Sequence, residues 1–95
     1  MKDDLDRVIH QPVRTKIMAY LVGREASDYA TLKKALDLSD GHMSTHMKEL
    51  IGSGYVEAEK AFVDKKPRTT YVITKLGKER FGDYVSALKR VIEFR

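Results

Sequence analysis

One short run of this chain carries most of the polar side chains that could do chemistry together. It reads Asp40-Gly41-His42-Met43-Ser44-Thr45-His46-Met47-Lys48-Glu49. His42 and His46 stand four residues apart, which on a helix puts both rings on one face, as a zinc site requires. Met43 follows His42 where the metalloprotease pattern has glutamate, no third ligand stands at an obvious spacing although Asp40 is a candidate, and the chain has no cysteine. Neither a metal nor a cofactor is therefore expected. No serine, histidine and aspartate order, glycine-rich phosphate loop or carboxylate pair stands out, so no enzyme is expected either. What the run does offer is small hydrogen-bonding groups on a helix, and an α-helix fits the major groove of DNA with its N-terminal residues at the base edges.

A second cluster lies further on. Residues 60–68 hold Lys60, Lys65, Lys66 and Arg68 against a single acid, Asp64. Such a basic turn suits a phosphate backbone or a minor groove. Taken alone it reads equally well as a solvated turn. The same holds for the polar run, which by itself reads equally well as an ordinary surface helix.

The elements that must position these groups follow from spacing. Leu5, Val8 and Ile9 fall on one face of a short first helix that carries Asp3, Asp4 and Asp6. Pro12 ends it or opens the next, over residues 13–22, with Val13, Ile17, Met18, Leu21 and Val22 inward and Gly23 as a stop. Tyr29 lies in a brief link, as a very short strand. A two-turn helix follows, from about residue 30 to 37. Ser39 caps the helix that carries the polar run, whose buried stripe is Met43, Met47, Leu50 and Ile51. Gly54 suits a left-handed residue after it. The period then changes to two. Val56, Ala58 and Phe62 share one parity, residues 63–68 form a polar turn, and Thr69-Thr70-Tyr71-Val72-Ile73 returns as a strand. Thr74 caps a last helix.

In this order the residues resemble the winged-helix transcriptional regulators of the MarR and ArsR kind. The matching pieces are His10-Gln11-Pro12-Val13-Arg14, Tyr29-Ala30-Thr31-Leu32, and Leu38-Ser39-Asp40-Gly41-His42-Met43-Ser44-Thr45-His46-Met47. They continue with Gly54-Tyr55-Val56, Lys65-Lys66-Pro67-Arg68-Thr69-Thr70-Tyr71 and Ile73-Thr74-Lys75-Leu76-Gly77. Together they span nearly the whole chain from Leu5. The resemblance implies an α+β, mostly α fold: a winged helix-turn-helix with a two- or three-stranded antiparallel wing and a long C-terminal helix. It places the recognition helix at about residues 39–51 and the wing at about 55–73. It implies double-stranded DNA as the partner, with Ser39, Gly41, His42, Ser44, Thr45, His46, Lys48, Lys65, Lys66 and Arg68 at the interface. It also implies an internal salt bridge for Arg14, with no part in DNA binding. The cysteine ligands of the metal-sensing members are missing, and the short chain leaves little room for an effector pocket.

The last helix, at about residues 75–94, is longer than a minimal winged helix needs. Phe81, Tyr84, Val85, Leu88, Val91 and Ile92 line it, and Leu5, Val8 and Ile9 add a second apolar stripe. Self-complementary apolar surface favours a twofold dimer. Sequence-specific DNA binding by a homodimeric regulator is thus expected. The alternatives are a protein-interaction module that uses the long helix, or nonspecific DNA or RNA binding. A histidine touching phosphate as a cation would raise affinity below about pH 6.5.

Composition bounds the rest. Ninety-five residues hold one domain. The net charge is +4, and the excess sits in the C-terminal third. No apolar run approaches a membrane span and the start is not a secretory signal, so a cytoplasmic, nucleoid-associated location is expected.

Overall fold

Asp6 decides how the chain begins. In the computed structural model, which describes residues 5–93, its carboxylate accepts from the N–H groups of Val8 (2.8 Å) and Ile9 (3.1 Å). That local bond holds a turn in place of the expected first helix, because a short acidic side chain competes with the helical backbone for its own N–H groups. The second carboxylate oxygen takes the Tyr55 hydroxyl at 2.6 Å and ties the turn to the far side of the core. Asp3 and Asp4, also assigned to that helix, lie outside the described residues.

Helix α1 spans Pro12–Arg24, with proline at its first position and the Gln11 side chain accepting from Arg14 N–H at 2.9 Å. It runs through Gly23, which has open space around it. The chain leaves the helix at Glu25 instead, at φ 72°. Strand β1, Ala26–Asp28, hands over to α2, Tyr29–Ala35, through Asp28, whose side chain accepts from Thr31 N–H at 2.7 Å. Helix α3, Asp40–Gly52, starts as expected on Ser39, whose hydroxyl accepts from His42 N–H at 3.0 Å. Met43, Met47 and Leu50 enter the core, while Ile51 stays outside it.

Gly54, at φ 79°, then turns the chain into β2, Val56–Val63. Only Asp64 and Lys65 form the hairpin turn, both with positive φ, a pairing that matches the twist of the strands. Lys66, Pro67 and Arg68 therefore belong to β3, Lys66–Ile73, opposite Val63, Phe62 and Ala61. The sheet order is β1-β3-β2, all antiparallel. Strand β1 covers β3 only at Thr70, Tyr71 and Val72, so the β3 edge at Pro67 is open, where a missing N–H costs nothing. Of Val56, Ala58 and Phe62, which share one parity, only Val56 is buried. The hairpin outruns the body, and Phe62 is 78% exposed near its tip.

Helix α4, Lys75–Glu93, is capped by Thr74, whose hydroxyl accepts from Gly77 N–H (2.9 Å) and donates to Gly54 O (2.7 Å). A Cβ at Gly77 would lie 2.2 Å from Tyr55 O, so glycine is what allows α4 to cross the start of β2 so closely. Its long stripe divides. Tyr84 is buried, Phe81 and Leu88 pack at the margin of the core, and Leu76, Val85, Val91 and Ile92 are exposed. Among the described residues no helix is long and apolar enough to cross a membrane.

Candidate nucleic-acid interface

With Met43, Met47 and Leu50 turned inward, α3 exposes Gly41, His42, Ser44, Thr45 and Lys48, and His46 is half-buried beside them. The rings of His42 and His46 lie 6.2 Å apart, centroid to centroid. Asp40 does not join them as a third ligand. It pairs with Lys33 Nζ at 2.8 Å and accepts from the Tyr29 hydroxyl. Lys33 and then Tyr29 hold the Asp40 carboxyl below the ordinary value, and Asp40 in turn pushes Tyr29 up to about 12. Helix α2 thus neutralises the one acid at the head of α3. Among the described residues Gly41 meets only Ser39 Oγ, at 3.8 Å, so none of them demands glycine there. Its absent side chain leaves the backbone open to an outside group.

His46 differs from the cation that its type allows. Arg14 Nη1 donates to His46 Nδ1 at 3.1 Å, and Arg14 Nε donates to Val8 O at 2.5 Å. Burial first, then the Arg14 charge and that of His42, hold its pKa below 6.5, against a smaller opposing effect of Glu49. Arg14 itself meets a carbonyl and an imidazole, not the expected acid. No local pattern could have revealed this, because His46 lies 32 positions away.

The wing carries its charges unequally. Lys60, Lys65 and Lys66 are exposed and form no ion pair among the described residues. Arg68, grouped with them from the sequence, instead bonds Asp28 at 2.5 Å. Asp28 has its pKa lowered, first by the Thr31 N–H and then by Arg68, so one carboxylate both caps α2 and anchors the wing. A cleft of about 510 Å³ separates Tyr29 and Ala30 from Val63, Lys66 and Pro67.

On the face assigned to a partner subunit, two residues are already taken. Ile9 is wholly inside the core, and Tyr84 is buried with its hydroxyl sharing a 2.8 Å hydrogen bond with His10 Nδ1. Leu5, Val8, Phe81 and Leu88 are half-buried at the margin, whereas Val85, Val91 and Ile92 are exposed. A domain this small takes Ile9 and Tyr84 for its own interior.

Comparison with known proteins agrees with this geometry. The family model described as winged helix DNA-binding domain matches residues 13–92. An uncharacterized protein of Methanocaldococcus jannaschii is 34% identical over 79 residues, which make up 83% of this chain and 86% of that one. The solved structure of a transcriptional regulator homologue from Pyrococcus horikoshii OT3 superposes with a TM-score of 0.87 at 34% identity, covering 93% of this chain and 87% of the other. The overoxidized form of AbfR, solved bound to DNA, shares the fold with a TM-score of 0.64 at 23% identity, over 83% of this chain and 63% of that one. Through its capped helix pair, its hairpin wing and this match over most of its length, the chain belongs to the winged helix DNA-binding domain family.

Proposed function

We propose that the protein is a homodimeric transcriptional regulator that binds double-stranded DNA in a sequence-specific way. The observation that carries this is the pairing of an exposed polar face on α3 with three wing lysines that form no ion pair among the described residues. In this reading α3 enters a major groove and the wing lies along the backbone or in a minor groove. Lys48, Lys65 and Lys66, together with Lys60, supply affinity through phosphate. His42, Ser44, Thr45 and His46 supply selectivity at base edges, while Ser39 and Gly41 present the free N–H groups of the helix start to a phosphate. Arg68 acts indirectly, by setting the wing against Asp28. The DNA-bound fold relative supports this reading.

The dimer rests on α4. Val85, Val91 and Ile92 are apolar and 46%, 43% and 54% exposed, with Leu5, Val8, Phe81 and Leu88 beside the core. A twofold pair of recognition helices reads half-sites about one helical turn apart. A nucleoid-associated, cytoplasmic place and a non-enzymatic role go with this function.

Selection of bound duplexes from a random pool tests it. A recurring, roughly palindromic site with half-sites spaced by about one turn is the expected result. Enrichment of no sequence, with binding that persists, makes the protein a nonspecific binder. No duplex binding at moderate salt makes it an interaction module.

A further inference from the structure

Arg14 joins three parts of the chain at one guanidinium: its own helix α1, the turn at Val8 and the recognition helix at His46. A guanidinium carries donors only. His46 Nδ1, 3.1 Å from Arg14 Nη1, must therefore accept. In a neutral imidazole the proton then sits on Nε2. The two ring nitrogens point in divergent directions, so Nε2–H is directed away from Arg14, and it has no hydrogen-bond partner among the described residues. Thr45 beside it is exposed, and His42 lies one turn earlier.

We infer that Arg14 is a positioning residue that locks His46 in the Nε2–H tautomer, so that α3 presents one oriented neutral donor to an acceptor on a base edge. This rests on the DNA-binding reading above. The acceptors in a major groove are guanine N7 and O6, adenine N7 and thymine O4, whereas cytosine offers its N4 amino donor. At the step that His46 meets, the contacted base is thus a guanine, adenine or thymine, and cytosine is rejected. The charged and titratable groups around the ring are Arg14 from α1 and His42 and Glu49 from α3. Protonation would set an Nδ1–H against the Arg14 donors and break the lock. Acid pH therefore weakens this contact, the reverse of what a phosphate-binding histidine would do.

Long-range proton–nitrogen correlation spectra of the full chain at pH 7.5 test the lock directly. Wild type should show His46 protonated at Nε2 and bare at Nδ1, and Arg14→Ala should mix the two tautomers. In binding to the selected operator, wild type should prefer the acceptor-bearing base over cytosine by about tenfold, the scale of one net hydrogen bond at its upper end. Arg14→Ala should cut that preference to about twofold or less, with random-sequence duplex bound within about twofold of wild type. Because Arg14→Ala also releases Val8 O, a second pair leaves Arg14 in place. His46→Gln, whose Oε1 accepts and Nε2 donates, should keep the preference, and His46→Ala should lose it. An Nδ1–H tautomer in wild type overturns the inference. So does full discrimination by Arg14→Ala or His46→Ala. Wild type that binds no duplex overturns the DNA reading itself and the recognition role with it, while the tautomer spectrum stays legible.

Discussion

Helices α3 and α4 feed the same core from their inner faces, yet leave different chemistry outside. On α3 the exposed groups include His42, Ser44, Thr45 and Lys48, with the acids Asp40, paired to Lys33, and Glu49, and its one exposed large apolar residue is Ile51, at the far end. On α4 the exposed groups include Val85, Val91 and Ile92, and the polar ones between them are Ser86, Lys89 and Arg90. Water satisfies the first face and penalises the second. An apolar patch gains by being covered, whereas a polar face is covered only by a partner that replaces its hydrogen bonds. In the proposed function the two faces take two kinds of partner: a polyanion for α3 with its wing, and a second apolar surface for α4.

Breaking the α4 side should have the largest effect. Val85→Glu with Val91→Glu should turn a dimer into a monomer in sedimentation and lower operator affinity about hundredfold, because two linked half-sites bind with a high effective concentration. Exchange of these residues without loss of the dimer would assign the apolar face to some other partner. Next comes the wing. Replacing Lys60, Lys65 and Lys66 by alanine should reduce the log–log salt slope of binding by about 0.9 for each phosphate that is no longer neutralised. Adding Arg68→Ala should lower affinity with little further change in slope, since Arg68 is spent on Asp28.

A smaller effect in stability is expected where α4 crosses the start of β2. Gly77→Ala forces a Cβ against Tyr55 O and should cost about 1–3 kcal/mol in denaturant unfolding, as overpacking does. The smallest is a pH effect at His46. Its folded pKa is lowered, so the unfolded chain takes up the proton first as pH falls through 6.5. The stability is complete above that value and declines below it. The thermal midpoint of wild type should drop slightly more than that of His46→Gln between pH 7.5 and 5.5. Equal drops would remove His46 as the cause.

Much of the frame was legible in the sequence because it is local. Ser39 and Thr74 as caps, Gly54 with positive φ and the inward Met43, Met47 and Leu50 each follow from neighbours within four residues. The winged-helix resemblance was legible for the same reason, since turn chemistry and period fix the order of elements. The failures share a cause as well. Gly23 looked like a stop but the helix ran on, and the Leu5 to Ile9 stripe looked helical until Asp6 took the Val8 and Ile9 N–H groups. Phe62 shares the parity of buried Val56 and is exposed, because strand parity does not say where the hairpin leaves the body.

Charge and apolar pattern by themselves determined the order of elements from α1 onward, and that a polar helix precedes a basic hairpin. Which cations stay available was decided only in three dimensions. Arg68 finds Asp28 forty positions away, Arg14 finds His46, and Ile9 and Tyr84 are drawn into one small interior. The physical reason is range. Hydrogen bonds and close packing act over a few ångströms, and folding sets which distant residues come within that reach.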